Sequence, residues 1–234
     1  MAKFLITGAN RGVGFELTRQ LMSDSNNFVF ACCRNPAMAT AVSNLIARLG
    51  NGMLVEMDVA DDASVQRGVG LISAETNALD VVINNAGILT RGESLASLDS
   101  SVLQHFFNVN ATGPVRVAQA CVDLLGNGTN PRLVNISSQL GSITALENGN
   151  WGEYSYNASK AALNVFVRMM ANELKPKGIT VVTMHPGWVQ TDMGGPNAAI
   201  TPVESAAGII NVINGLTIQD TNQFIVYNGE RHPW

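Results

Sequence analysis

Short apolar runs alternate with longer helix-compatible stretches along the chain, and this alternation is its strongest pattern. Runs of four to six residues rich in Val, Ile, Leu and Phe indicate buried strands. The runs are Phe4–Thr7, Phe28–Cys33, Met53–Met57, Val81–Asn84, Leu133–Ser137, Thr180–Met184 and Phe224–Tyr227. Helix-compatible stretches lie between them, at Gly12–Ser23, Pro36–Leu49, Ala60–Glu75, Asp99–Leu125, Glu153–Leu174 and Thr201–Gly215. The repeated strand–helix order predicts a parallel sheet with helices on both faces.

The same alternation also bears on domain organisation. The sequence contains no internal repeat and no Pro- or Ser-rich linker that would separate two folding units. We therefore predict an α/β fold: a single doubly wound (Rossmann) domain over residues 1–234, with a seven-stranded parallel sheet.

Composition agrees with a sheet that is covered on both faces. Hydrophobic residues make up 46% of the chain and charged residues only 14%, well below the usual quarter. A low content of charged residues is expected of a parallel sheet buried on both faces. It is also expected where part of the protein surface is covered by oligomerisation. The net charge of −4 argues against nucleic-acid binding, which requires a basic patch.

Several segments bear on location and metal binding. No stretch approaches the roughly 20 apolar residues of a membrane span, and the apolar run near Met1 is too short for a signal peptide. The three cysteines, Cys32, Cys33 and Cys121, lack metal-ligand spacing, and their odd number indicates a reducing compartment. We expect a cytoplasmic protein with no metal site and with neither membrane nor nucleic acid as a partner.

A glycine-rich turn follows the first predicted strand. It consists of Thr7-Gly8-Ala9-Asn10-Arg11-Gly12-Val13-Gly14, with the spacing Gly-x-x-x-Gly-x-Gly. Glycines allow the backbone to approach a pyrophosphate, and the following helix N-terminus offers free N–H donors and a positive dipole end. Glycines in such a turn can also serve steric needs alone. Its position in the first βα unit favours a dinucleotide site.

The end of the second predicted strand indicates which nicotinamide cofactor would bind. An acidic residue there holds the 2′-hydroxyl of NAD, whereas an arginine accommodates the 2′-phosphate of NADP. This strand is followed by Arg34 and has no acid at its end, and Arg11 in the glycine turn can add a second positive charge. Because guanidinium groups match phosphate bidentately, we predict NADP(H). The alternative is that both arginines are solvated surface residues.

Three further side chains suggest acid/base chemistry. Tyr156 and Lys160 are four residues apart in a predicted helix, so they share one face. A nearby ammonium lowers a phenol pKa from about 10, and the phenol can then exchange a proton near neutral pH. Such a pair alone also arises by chance. Ser138 follows a predicted strand, at the sheet edge where α/β proteins bind ligands, and can hydrogen-bond a substrate carbonyl.

These motifs occur together in one order: the glycine turn, Asn84-Asn85-Ala86-Gly87, Asn110, Ser138, and Tyr156 with Lys160. In this combination the chain resembles the short-chain dehydrogenase/reductase family over nearly its whole length. Residues 185–195 and 224–234 are similar to the Sniffer-like and C-factor-like carbonyl reductases. The resemblance implies an oxidoreductase that moves a hydride between NADP(H) and a small-molecule carbonyl or alcohol substrate.

The resemblance also implies a role for each residue. Tyr156 corresponds to the general acid/base, and Lys160 to the residue that lowers its pKa and holds the nicotinamide ribose. Ser138, rather than its neighbour Ser137, corresponds to the substrate-orienting hydroxyl. Asn110 corresponds to the anchor of a water in a proton relay to Lys160. The implied cofactor-binding residues are Gly8, Asn10, Arg11, Gly12, Val13, Gly14, Arg34, Asp58, Val59, Asn84, Ala86, Gly87, Tyr156, Lys160, Pro186, Gly187, Val189 and Thr191.

Two interpretations of function remain open at this point. One is an active carbonyl reductase, and the other is an NADP(H)-binding signalling protein of the C-factor type with little or no turnover. A pure binding protein has no need of Asn110, Ser138, Tyr156 and Lys160 together, which favours the enzyme. The resemblance further implies a homodimer built on the long helices, with a tetramer as the alternative.

Overall fold

One parallel sheet organises the molecule, and the computed structural model describes residues 1–146 and 152–234. Seven strands lie in the order β3-β2-β1-β4-β5-β6-β7, and every neighbouring pair is parallel. Their bounds are β1 Ala2–Thr7, β2 Asn27–Cys33, β3 Gly52–Glu56, β4 Val81–Asn84, β5 Arg132–Ile136, β6 Thr180–His185 and β7 Phe224–Val226. The predicted doubly wound fold class is confirmed.

Helices connect the strands and cover the sheet. Their bounds are α1 Gly12–Met22, α2 Thr40–Leu49, α3 Asp62–Glu75, α4 Ser100–Phe107, α5 Gly113–Gly126, α6 Ile143–Leu146, α7 Tyr154–Leu174 and α8 Pro202–Gly215. The strand order reverses at β1, which pairs with both β2 and β4. A crevice forms outside the carboxyl ends of the strands at such a reversal, and this is where doubly wound sheets bind ligands.

The side chains of each strand alternate between two hydrophobic cores. In β1, Leu5 belongs to the core that is completed by helices α3, α5 and α7. Its neighbours Phe4 and Ile6 belong to the core that is completed by α1, α2 and α8. Successive strand residues point to opposite faces, so a run that is apolar at every position fills both cores. This explains why the strands appear in the sequence as continuous apolar runs.

The predicted helix Asp99–Leu125 is wrong as a single element. A π-helical segment, Asn108–Thr112, separates α4 from α5. Pro114 has no amide hydrogen to continue the regular ladder, and the hydroxyl of Thr112 donates to the main chain of the preceding turn. Such π segments are frequent at functional sites, and this one contains Asn110.

The described residues contain neither a membrane-spanning helix nor a cluster of metal ligands. No helix among them is both long and apolar enough to cross a membrane. No group of three or more His, Cys, Asp or Glu side chains in these ranges is arranged to hold a metal ion.

Candidate active site

The glycine turn lies between β1 and α1 and is shaped by close contacts. Gly8 and Gly12 have φ values of +66° and +54°, which glycine adopts without strain. A Cβ atom on Gly14 would lie 2.2 Å from the carbonyl oxygen of Gly8, so this position excludes every side chain. Arg11 precedes α1 and provides no side-chain cap for its first amides. The turn therefore presents a helix N-terminus suited to an anion such as a pyrophosphate.

The Asn84–Gly87 segment stabilises the glycine turn by hydrogen bonds. The hydroxyl of Thr7 accepts hydrogen bonds from the amides of Asn85 and Ala86, both at 3.0 Å. The side-chain amide of Asn85 donates to the carbonyl of Thr7 at 2.9 Å and to that of Gly8 at 3.3 Å. Thr7 and Asn85 belong to the two sequence motifs, but the sequence alone predicts no role for either residue. Their polar side chains, at the ends of neighbouring strands, were the available signal.

The two arginines predicted to recognise a 2′-phosphate have different surroundings. The amide of Ala9 donates to the carbonyl of Cys32 at 3.0 Å, which brings the glycine turn beside the end of β2. Arg34 is exposed there and makes no hydrogen bond or ion pair with the residues that the structure describes. Arg11 instead forms a 3.2 Å ion pair with the exposed carboxylate of Asp192. Arg34 is thus the guanidinium that is free for a phosphate.

The residues predicted to lie near the adenosine direct their side chains mainly to other parts of the protein. The Asp58 carboxylate accepts a hydrogen bond from the amide of Ala60 at 3.0 Å, and the buried Val59 lies against Gly113. Asn84 donates at 2.9 Å to Asn135 and at 3.1 Å to the carbonyl of Pro114. The side chain of Asn84 therefore binds within the protein interior rather than to the glycine turn.

The structure brings Tyr156, Ser138 and Lys160 together at the carboxyl ends of the strands. Tyr156 and Lys160 lie on the first two turns of α7, and all three side chains are buried. Tyr156 and Ser138 are hydrogen-bonded through their side chains. The Lys160 Nζ lies 5.9 Å from the centroid of the Tyr156 ring and donates to the carbonyl of Ile136 at 2.8 Å. This arrangement places a phenol, an alcohol and an ammonium around one small volume.

The expected effect of Lys160 on Tyr156 is not what the geometry produces. Burial raises the pKa of Tyr156, and the opposing contribution comes from its hydrogen bond with Ser138. Burial also lowers the pKa of Lys160 to about 8. The ammonium is directed at the carbonyl of Ile136 rather than at the phenol oxygen, so it does little to stabilise a phenolate in this state.

The neighbouring serines Ser137 and Ser138 are distinguished by their partners. The hydroxyl of Ser137 donates to the side-chain oxygen of Asn164 at 2.7 Å, inside the core. Ser138 lies two residues after the end of β5, bonds with Tyr156, and accepts a 3.1 Å hydrogen bond from the amide of Leu140. Of these two serines, Ser138 is therefore the one that lies beside the phenol, and its role as the substrate-orienting hydroxyl stays a prediction.

Asn110 connects the π segment to the site. Its side chain bonds both the amide and the carbonyl of Ile88, at 2.9 and 3.0 Å, and donates to Ser159 at 3.0 Å. A Cβ atom on Gly87 would lie 3.3 Å from the Asn110 side-chain oxygen and 3.6 Å from the Lys160 Nζ. Gly87 thus keeps open the space between these two polar groups. A water relay through Asn110 stays a prediction.

The segment after β6 faces the glycine turn. Gly187 has a φ of +85°, and a Cβ atom there would lie 2.5 Å from the side chain of Ile200. Val189 forms an isolated bridge with Ile200, and the methyl group of Thr191 would lie 3.2 Å from a Cβ on Gly12. The segment from Pro186 to Thr191 therefore forms one wall of the crevice above the turn.

Comparison with known proteins identifies the family. The family model described as short chain dehydrogenase matches residues 2–200 of this chain. The chain belongs to the short-chain dehydrogenase family. The predicted family is thereby confirmed, and the oxidoreductase interpretation is supported over a signalling protein without turnover.

Individual relatives and solved structures agree with this assignment. The C-signal protein of Myxococcus xanthus is 42% identical over 159 residues, which cover 68% of this chain and 95% of that protein. The NADPH-bound carbonyl reductase from chicken fatty liver has a TM-score of 0.94 and 31% identity, with 100% of this chain and 99% of that chain covered. The carbonyl reductase Sniffer of D. melanogaster has the same TM-score and identity, with both chains fully covered. The similarity to Sniffer-like and C-factor-like members is confirmed.

Proposed function

We propose that this short-chain dehydrogenase is an NADPH-dependent carbonyl reductase in which Tyr156 donates the proton. The observation that carries the proposal is the buried Tyr156 phenol, hydrogen-bonded to Ser138 and flanked by Lys160 at the crevice of the sheet. A hydroxyl pair of this kind can hold a carbonyl oxygen by two hydrogen bonds. One of these, from the phenol, becomes the path of the proton.

The protonation state of Tyr156 at neutral pH suits the reduction of a carbonyl. Reduction of a carbonyl requires a protonated acid, whereas oxidation of an alcohol requires a base. A phenol of ordinary pKa, about 10, is protonated at neutral pH, and burial raises the pKa of Tyr156 further, so the phenol holds the proton that the carbonyl would receive. Ser138 orients the carbonyl, and Lys160, near Gly87 and Asn110, is placed to return a proton to the site after each turnover.

NADPH fits the residues that line the crevice, and when bound it supplies the hydride. The turn Gly8–Gly14 has no room for side chains at Gly14 and leaves the first amides of α1 uncapped by a side chain, as a pyrophosphate requires. Arg34 would hold the 2′-phosphate, and the wall Pro186–Thr191 would cover the nicotinamide. Lys160 would bind the nicotinamide ribose beside Gly87.

The test is turnover on a panel of aldehydes, ketones and quinones, followed as loss of NADPH absorbance, with Tyr156→Phe as the decisive variant. We expect Tyr156→Phe to lower kcat by about 10²- to 10⁴-fold, the usual contribution of a general acid, while NADPH still binds. Tyr154→Phe, exposed on the same helix turn, is the matched control and should keep its activity. Activity of Tyr156→Phe close to that of the unmodified enzyme would remove the residue from this role.

We also propose a homodimer that is built on α4 and α7. The side chains of Val165 and Met169 on α7 are 57% and 63% exposed, and Phe107 on α4 is 39% exposed. The rings of Phe107 on α4 and Phe166 on α7 lie 6.2 Å apart between centroids, so these exposed apolar side chains stand on two packed helices whose surface association would cover. Analytical ultracentrifugation of the unmodified chain and of Met169→Glu tests this, since the charge should give monomers. A monomeric unmodified chain would contradict the proposal.

A cytoplasmic location is the final part of the proposal. Cys32, Cys33 and Cys121 are all buried and free, which suits a reducing compartment. Cell fractionation with detection of NADPH-dependent activity is the corresponding measurement.

A further inference from the structure

Hydrogen bonds to two glutamates join the β4–α4 loop, residues 85–99, to the start of α7. Glu93 lies in the loop, and Glu153 lies immediately before the helix. The carboxylate of Glu93 accepts from the amide of Ser155 at 2.7 Å and from its hydroxyl at 2.6 Å. In return, the carboxylate of Glu153 accepts from the amides of Gly92 and Glu93, at 3.0 and 2.8 Å. Each acidic side chain therefore binds the main chain of the other segment, and Ser155 is completely buried beneath the contact.

This contact supplies the N-terminal cap of the catalytic helix. Glu153 occupies the cap position, yet its own side chain makes no capping hydrogen bond to α7. The first amides of a helix need acceptors, and a negative charge there is stabilised by the helix dipole. Glu93 provides both from a distant part of the chain, 62 residues before Ser155. The residue after Ser155 is Tyr156.

The same loop is also held at the cofactor side of the crevice. Asn85 bonds the glycine turn, Ile88 is held by Asn110, and Arg91 donates to the carbonyl of Met193 at 2.9 Å. The loop therefore runs from the glycine turn to the wall after β6, and then to α7. Glu93 is the point at which the loop fixes the helix that carries Tyr156.

We propose that Glu93 is a positioning residue for the reaction: its carboxylate fixes the first turn of α7 and thereby sets the Tyr156 hydroxyl relative to Ser138. The proposal rests on the proposed acid role of Tyr156. Glu93 itself exchanges no proton with the substrate. Its effect reaches the reacting atoms only through Ser155 and the helix turn.

The experiment compares Glu93→Ala and Glu93→Gln in the full chain, with Glu75→Ala as the control at an exposed position at the end of α3. The readouts are kcat, KM, the dissociation constant of NADPH and the kinetic isotope effect with NADPH deuterated at the transferred position. Misplacing a catalytic group by about 1 Å costs on the order of 100-fold. We expect Glu93→Ala to lower kcat by about 10- to 100-fold, with a larger isotope effect and unchanged NADPH affinity.

Glu93→Gln should recover most of the lost rate. The amide oxygen of glutamine can still accept from the Ser155 amide, and its N–H group can donate to the Ser155 hydroxyl. A general loss of structure would instead weaken NADPH binding and would lower kcat equally in both variants.

The outcomes separate this proposal from the proposed function. If Tyr156→Phe is inactive but Glu93→Ala keeps its kcat or changes only its KM, the positioning role of Glu93 is overturned and the acid role of Tyr156 stands. If Tyr156→Phe stays active, the acid role is overturned and the positioning role with it. Should Glu93→Ala fail to fold, Glu93→Asp decides by the same readouts, because its shorter side chain cannot keep both the amide and the hydroxyl bonds to Ser155. An unchanged kcat in Glu93→Asp then overturns the proposal.

Discussion

Replacing Lys160 by methionine should stabilise the protein at neutral pH while abolishing its activity. Lys160 is 4% exposed, and burial lowers its pKa from 10.5 to about 8. The folded protein therefore binds the proton less tightly than the unfolded chain does. Between pH 8 and 10.5 the unfolded state carries more protons, so stability rises with pH across this window.

The magnitude follows from the two pKa values. At pH 7 the shift from 10.5 to about 8 costs about 3 kcal/mol of stability, since one pKa unit corresponds to about 1.4 kcal/mol. Methionine removes this cost but also the hydrogen bond to Ile136, which contributes about 1 kcal/mol. The net gain is about 2 kcal/mol, or about 4 to 8 °C in Tm for a domain of this size. The gain should vanish near pH 10.5, where the lysine cost has disappeared.

Thermal unfolding of the cofactor-free protein at pH 7 and at pH 10 measures this difference. Lys177→Met is the matched control, because Lys177 is 55% exposed and surface substitutions usually change stability by less than about 0.5 kcal/mol. A Lys160→Met variant that is less stable than the unmodified chain at pH 7 would refute the reasoning. So would a Tm difference that is the same at both pH values.

Three further predictions concern the serines, the phosphate and the glycine turn. Ser138→Ala should lower kcat by about 10²-fold, whereas Ser137→Ala should reduce stability and spare kcat, as steady-state kinetics and calorimetry would show. Arg34→Asp should reduce the preference of kcat/KM for NADPH over NADH by at least 10- to 100-fold, roughly the effect of one charged hydrogen bond; an unchanged ratio would place phosphate recognition elsewhere. Gly14→Ala should lose cofactor binding because its Cβ meets the carbonyl of Gly8, while Gly70→Ala, with open space around it, should be slightly more stable.

The seven strands were predictable because parallel strands bury both of their faces. Continuous apolar runs as short as Val81–Asn84 favour strands over helices, and this strand was predicted with its observed bounds. Helix α7 was also predicted from the sequence, with one residue of difference at its start. The glycine turn, Ser138 and Tyr156 then indicated the family, because these motifs occur together in one chain and in that order.

The remaining features depend on contacts between distant residues, and local patterns contain no information about them. The π segment contains Asn110, whose side chain bonds the main chain of Ile88, 22 residues earlier in the chain. The reciprocal bonds of Glu93 and Glu153 join segments about 60 residues apart. The apolar spacing of α4 and α5 alone indicated one helix, although the missing amide of Pro114 was a signal that the ladder would be interrupted.

Burial shifts the pKa values of Tyr156 and Lys160 in opposite directions, and this links the stability of the fold to catalysis. It raises the pKa of the Tyr156 phenol and lowers that of the Lys160 ammonium, so it favours the neutral form of each. A neutral phenol is the form that can donate a proton to a carbonyl, whereas a lysine driven toward its neutral form destabilises the fold at neutral pH. Water in the crevice would raise the pKa of Lys160 and lower that of Tyr156, each toward its ordinary value. Burial of the site therefore destabilises the folded protein at Lys160, while the phenol is protonated at neutral pH whether its pKa is raised or ordinary.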